Sequence, residues 1–189
     1  LLPQIIPMLH QTFPKLEMYL HEAQTQQLLA QLDSGKLDCA ILALVKESEA
    51  FIEVPLFDEP MMLAIYEDHP WANRDRVPMA DLAGEKLLML EDGHCLRDQA
   101  LAAVNIEAPR GEDVFAATSL HTLVQMVSSG LGVSFLPEMA VRAGLADNPN
   151  VVIRHIAADA PRREIVVAWR AGSSRAAEAK LLAEALKLD

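Results

Sequence analysis

The stretch KLLMLEDGHCLRDQALAAV, Lys86–Val104, reads as a strand, a turn and a helix. The apolar run KLLML is strand-like, DGH supplies the turn, and HCLRDQALAAV carries helical spacing. The same grammar recurs on both sides. Upstream, KLEMYLHEA alternates as a strand with Leu16, Met18 and Leu20 on one side, and TQQLLAQLDSG is a helix closed by Gly35. LDCAILALV is a continuous apolar run, which suits a parallel strand buried on both faces. EVPLF and MMLAIYE are strand-like and separated by DEP. Downstream, DVFAA, GVSFLP, NVVIRHI and EIVVAW are strands, while SLHTLVQMVSSG, PEMAVRAG and SSRAAEAKLLAEALKL are helices. Strands alternating with helices of this length predict an α/β fold with parallel sheets. Chain crossings at DEP, near residue 59, and DAPRR, near residue 161, predict two lobes. Residues 1–58 plus 162–189 form lobe I and residues 59–161 form lobe II, with a cleft where strand ends meet.

The bulk numbers suit such a fold. Of 189 residues, 51% are hydrophobic and 23% charged, enough for a sizeable core. No apolar run approaches the ~20 residues of a membrane span, and LLPQIIPMLHQTFPK lacks the features of a signal peptide. A formal charge of -11 disfavours phosphate contacts, so a role on DNA requires another domain. The chain opens without Met inside an apolar pattern and is read as a piece of a longer protein. Cys39 and Cys95 form no disulfide framework and no zinc spacing, which favours a reducing cytoplasm. His10, His21, His69, His121 and His155 show no metal spacing, and no GxSxG, P-loop or HExxH motif occurs.

A free cysteine is more often a small buried hydrophobe than a reagent. Helical phase separates the two in this chain. At about 100° per residue, Leu96, Ala100, Ala103 and Val104 form one apolar stripe, and Cys95 falls on the other side beside Asp98, Gln99 and Ala102. Cys95 also lies in or next to the first turn, where unpaired N–H groups and the helix dipole favour an anion such as a thiolate. Cys39, among Ala and Ile, reads as structural. In SLHTLVQMV, Leu120, Leu123, Val124 and Val127 have core spacing, and Ser119 and Thr122 read as caps.

LEDGHCLRDQA, together with the preceding sequence from Leu1, resembles the regulatory domain of the OxyR family, LysR-type transcription factors that sense hydrogen peroxide. The likeness is close to about Leu101 and looser beyond. ATSLHTLVQMVSSGLGVSFLP is similar to the general LysR-type pattern, and PRREIVVAWRAGS to the strand returning to the first lobe. The resemblance implies two Rossmann-like lobes in a type 2 periplasmic-binding-protein-like arrangement. It implies a homodimer built on helices near Leu1 and Ser119, with a full-length tetramer and contact with RNA polymerase as extensions. DNA would be bound by an N-terminal winged helix-turn-helix domain absent from this chain. Cys95 corresponds to the peroxide-reactive cysteine, oxidised to sulfenic acid; Thr25, Gly93 and His94 to pocket positions; and Arg163 to an arginine near the reduced thiolate. The implied molecule is a cytoplasmic regulator, not an enzyme, with no cofactor, no metal and no membrane contact.

One departure is Val104, where well-known members carry a second cysteine nine positions after the first. Nine helical residues separate Cα atoms by ~13.5 Å along the axis, against a limit of about 7 Å for a disulfide, so pairing requires the helix to unwind. With Val104 this local disulfide cannot form, and Cys39 is a poor substitute. The chain is either a natural single-cysteine sensor or one altered to hold a single state. Two rival readings stand beside peroxide sensing. One is a LysR-type domain binding a small organic ligand in the cleft; the other is a thiol peroxidase.

Overall fold

The computed structural model describes residues 2–43, 49–93, 95–104, 116–157 and 160–187. The chain divides into two compact units: Leu1–Asp58 with Glu164–Asp189, and Glu59–Arg163.

In the first unit, α1 (Leu2–Thr12) is followed by α2 (Thr25–Asp33) and β1 (Ala40–Ala43). Gly35, at φ +70°, ends α2 as expected: its left-handed backbone lets Lys36 N–H return to the Gln31 carbonyl at 2.9 Å. The chain then runs into β2 (Phe51–Tyr66), and it returns through β8 (Arg162–Arg170) to α6 (Ala176–Leu186). β1 pairs with β8 in antiparallel register, Ala40 opposite Ala168 and Ala43 opposite Ile165. Leu32 of α2 seals a core made of Ala40, Leu42, Val166 and Ala168. α6 buries Ala179, Ala183 and Leu186, a spacing of three to four residues.

Two expectations fail here. KLEMYLHEA is not a strand: residues 16–24 form neither helix nor strand, and Tyr19 is 89% exposed. Alternation makes a strand only where a neighbour takes its backbone groups, and the described residues assign it none. β1 is antiparallel to β8 rather than parallel to a partner, because a continuous apolar run reports burial on two faces and says nothing about direction.

The second unit begins inside β2. EVPLF, DEP and MMLAIYE are one 16-residue strand, not two. Pro55 and Pro60 remove N–H donors but keep φ compatible with extended backbone. Beyond Glu59, β2 pairs antiparallel with β6 (Ser134–Pro137) on one side and β7 (Val151–Ile156) on the other. β7 pairs in parallel with β3 (Arg76–Val77). A single parallel bridge, Leu87 to Val133, ties KLLML to the strand entering β6. Gly132 makes that approach possible: a Cβ there would collide with the Lys86 carbonyl, which accepts from Val133 N–H at 3.0 Å.

β4 (Met89–Leu90) and β5 (Ala116–Ala117) are parallel, and α3 (Cys95–Val104) lies between them in sequence. α4 (Leu120–Ser128) is capped by Ser119, whose Oγ accepts from Thr122 N–H at 3.2 Å, as its sequence suggests. Leu123, Val124 and Val127 bury its inner face. α5 (Glu138–Arg142) follows β6 directly.

Candidate functional site

The turn Glu91-Asp92-Gly93 ends β4 and sets the start of α3. Gly93 has φ +93°, a left-handed backbone that any Cβ would strain. Cys95 is the first residue of α3, half-buried, with its sulfur free of any disulfide. α3 buries Leu96 and Ala100, the two members of the apolar stripe whose side chains are described. His94 lies outside the described residues, as do the side chains of Ala103 and Val104; the backbone at residue 104 is the last residue of the helix.

Arg97 is the side chain that the stripe omitted. It is 8% exposed. Its Nη1 pairs with the exposed carboxylate of Asp92, tying the preceding turn to the helix, while Nε is buried without a hydrogen-bond partner among the described residues. At about 100° per residue Arg97 sits only ~20° beyond Val104, so the edge of the stripe was the signal for its burial. Gln99, one turn beyond Cys95, places its Oε1 in the same partnerless condition. Nothing in its residue type distinguished it from an ordinary polar surface position.

Arg163 is held by a group that the sequence did not single out. Its Nε and Nη2 each donate at 2.6 Å to Oε2 of Glu59, which is 2% exposed, and Glu59 Oε1 accepts Met139 N–H at the start of α5 at 2.9 Å. Both oxygens of this buried carboxylate therefore have hydrogen-bond partners, as burial of such a group requires. Thr25 belongs to the first unit, where it is the half-buried first residue of α2; the Gln24 side chain before it makes no cap hydrogen bond. The structure therefore joins Gly93 and Cys95 through one turn, and joins Arg163 to Glu59.

Cys39 is half-buried and free like Cys95, but it sits beside a strand rather than at a helix start. It precedes β1, and burial, followed by the nearby Asp38 carboxylate, pushes its thiol above the ordinary range. Among the described residues no group of three His, Cys, Asp or Glu could hold a metal, and no helix is long and apolar enough to cross a membrane.

Residues 1–188 match the LysR substrate binding domain family. The DNA-binding transcriptional dual regulator OxyR of Escherichia coli K12 is 67% identical over 188 residues, covering 99% of this chain and 61% of that protein. The hydrogen peroxide-inducible genes activator of Haemophilus influenzae is 49% identical over 92% of this chain and 57% of its own length. The chain thus spans about three fifths of the length of these relatives. The crystal structure of the reduced form of OxyR is 64% identical with a TM-score of 0.85, over 99% of this chain and 87% of that one. The oxidised form gives 65% and 0.83, over 99% and 88%. The fold, mixed α/β in two units, is that of these domains. The chain belongs to the LysR substrate binding domain family and, within it, to the OxyR regulatory domains.

Proposed function

We propose that this chain is the hydrogen-peroxide-sensing part of a LysR-type transcriptional regulator, with Cys95 as the sensor. The observation that carries this reading is the position of Cys95 as first residue of α3, in a chain about two-thirds identical to OxyR in both its reduced and its oxidised form. The Cys95 thiolate attacks one peroxide oxygen, the O–O bond breaks, and hydroxide leaves as the sulfenic acid forms. Two electrons pass from sulfur to peroxide, and a proton from the solvent or a neighbouring donor converts hydroxide to water.

Thr25, Gly93 and His94 line the pocket for this step, with Thr25 and His94 donating hydrogen bonds to the departing hydroxide directly or through water. Arg163 stabilises the anion with the nitrogen that Glu59 does not engage, Nη1. Gln99 Oε1, buried one turn from Cys95, is suited to accept a peroxide O–H. A structure of a cysteine-to-serine mutant of Corynebacterium glutamicum OxyR with H2O2 bound, 32% identical with a TM-score of 0.88, supports a peroxide site in this fold.

With Val104 nine residues beyond Cys95, the oxidised product is a sulfenic acid or a mixed disulfide with another thiol, not a bridge within α3. The two units act as the lobes of the domain, lobe I and lobe II. Dimerisation through α1 and the start of α4, DNA binding by an N-terminal domain outside this chain, and contact with RNA polymerase complete a cytoplasmic regulator. Support for the DNA-binding domain comes from the names and greater length of the relatives.

Intact-mass measurement after stoichiometric peroxide, with and without a sulfenic-acid trap, tests the reading. One trap adduct on the parent chain and none on Cys95→Ser is expected. An unmodified Cys95, with a metabolite raising thermal stability instead, favours the organic-ligand reading. Repeated turnover with a reductant favours the thiol peroxidase.

A further inference from the structure

Beneath α3 the second unit contains a cavity of about 10 Å³, walled by Leu90, Leu96, Ala100 and Phe135 and shared by two polar residues, Arg97 and Ser134. Both are buried, 8% and 1% exposed. Arg97 Nε has no hydrogen-bond partner among the described residues. Ser134 Oγ donates to the Leu88 carbonyl at 2.9 Å, which uses its one hydrogen and leaves its oxygen able to accept.

We infer that this cavity is a binding site for a single water molecule, which accepts from Arg97 Nε and donates to Ser134 Oγ, and so fastens the first turn of α3 to β6. Three considerations select the ligand. A buried guanidinium N–H requires an acceptor, and buried polar groups in folded proteins almost always have one. The volume, about 10 Å³, is at the lower bound of the roughly 10–15 Å³ that one water needs and so leaves no room for a larger ligand. A molecule that must both accept from a cation and donate to a hydroxyl is neither an ammonium ion nor a simple halide.

The arrangement makes Arg97 a joint with two arms. Nη1 reaches outward to Asp92 in the turn before α3, and Nε reaches inward through the water to the strand that also carries the β2 pairing. Leu96 and Ala100 alone would hold the helix by non-directional contact; the relay fixes its rotation and its height over the sheet. The consequence for sensing rests on the reading of Cys95 given above: the relay holds the reactive thiol in place before oxidation. The water site itself does not depend on that reading.

The test uses the reduced chain without peroxide, so it is separate from the test of Cys95 oxidation. A high-resolution structure, or a water-to-amide nuclear Overhauser measurement, is expected to show one ordered water within hydrogen-bond reach of Arg97 Nε and Ser134 Oγ. A dry cavity, or Nε engaged by a protein acceptor, overturns the proposal. In Ser134→Ala, amides of α3 are expected to exchange hydrogen about five- to tenfold faster than in the parent, with α2 in the first unit unchanged. Faster exchange confined to Leu88 and Val133, beside the lost Leu88 bond, overturns it as well.

Discussion

The cores of the two units are built from different materials. Among the described residues, four buried side chains are polar, Glu59, His69, Arg97 and Ser134, and all four belong to the second unit. Each has directional partners. His69 accepts Trp71 N–H at Nδ1, 3.2 Å away, turns Nε2 toward Glu85 at 3.6 Å, and packs its ring against Tyr66 and Trp71 at centroid distances of 5.0 and 4.6 Å. Among the described residues, the core around β1 holds Leu32, Ala40, Leu42, Val166 and Ala168, with Leu29, Leu37 and Phe51 packed against it. Apolar packing excludes water but tolerates small rotations, whereas buried hydrogen bonds fix angle and distance. The unit that places the half-exposed thiol of Cys95 is the one that spends buried polar groups on geometry.

The strongest way to break this contrast is to remove one half of the buried pair. Glu59→Ala leaves Arg163 without its carboxylate and Met139 N–H without its acceptor. It is expected to cost about 3–5 kcal/mol in urea denaturation. Glu59→Leu combined with Arg163→Met should recover most of that loss, because two apolar side chains leave no uncompensated charge. A cost below about 1 kcal/mol for Glu59→Ala would mean that the second unit does not rely on the pair.

In the first unit the matching experiment is Leu32→Ala. Leu32 is fully buried, and its loss leaves a void among Ala40, Leu42, Val166 and Ala168. The expected cost is about 2–5 kcal/mol. Unlike the effect of Glu59→Ala, it should not be relieved by any compensating change of charge. Rescue by a second polar substitution would show that this core, too, is held by directional bonds.

Periodicity made helices legible where one face is buried at the spacing the sequence displays. α3 shows this with Leu96 and Ala100, and α4 with Leu123, Val124 and Val127. Ser119 was readable as a cap because its side chain bonds only its own first turn. Strands were less legible. The alternation in KLEMYLHEA did not provide a pairing partner, and the apolar run before Leu44 did not reveal its antiparallel direction. For the site, the position of Cys95 at the helix start followed from the turn and the phase. Glu59 could not be found this way, because its partners lie 80 and 104 residues away in sequence. A motif records neighbours along the chain, and a buried ion pair between β2 and β8 records a crossing that only the folded backbone creates.

The smallest expected effect separates the two cysteines by pH. Burial, and then Asp38, raise the Cys39 thiol above its ordinary value, so the folded state holds this proton more tightly than the unfolded chain does. Below about pH 8.5, where the unfolded thiol is also protonated, the two states bind equal numbers of protons and stability is unaffected by this group. As pH rises above that value the unfolded state loses the proton first, and stability falls until the folded thiol ionises too. The slope is at most about 1.4 kcal/mol per pH unit, and Cys39→Ala should remove it from denaturation curves recorded at alkaline pH. In the same protein, alkylation near pH 7 should mark Cys95 before Cys39, since the Cys39 thiol, raised above its ordinary range, is almost wholly protonated there. Mass analysis of the labelled peptides reads the order directly. If Cys39 were labelled first, its apolar surroundings would not be protecting it, and the contrast between a core that shields one thiol and a helix start that presents the other would fail.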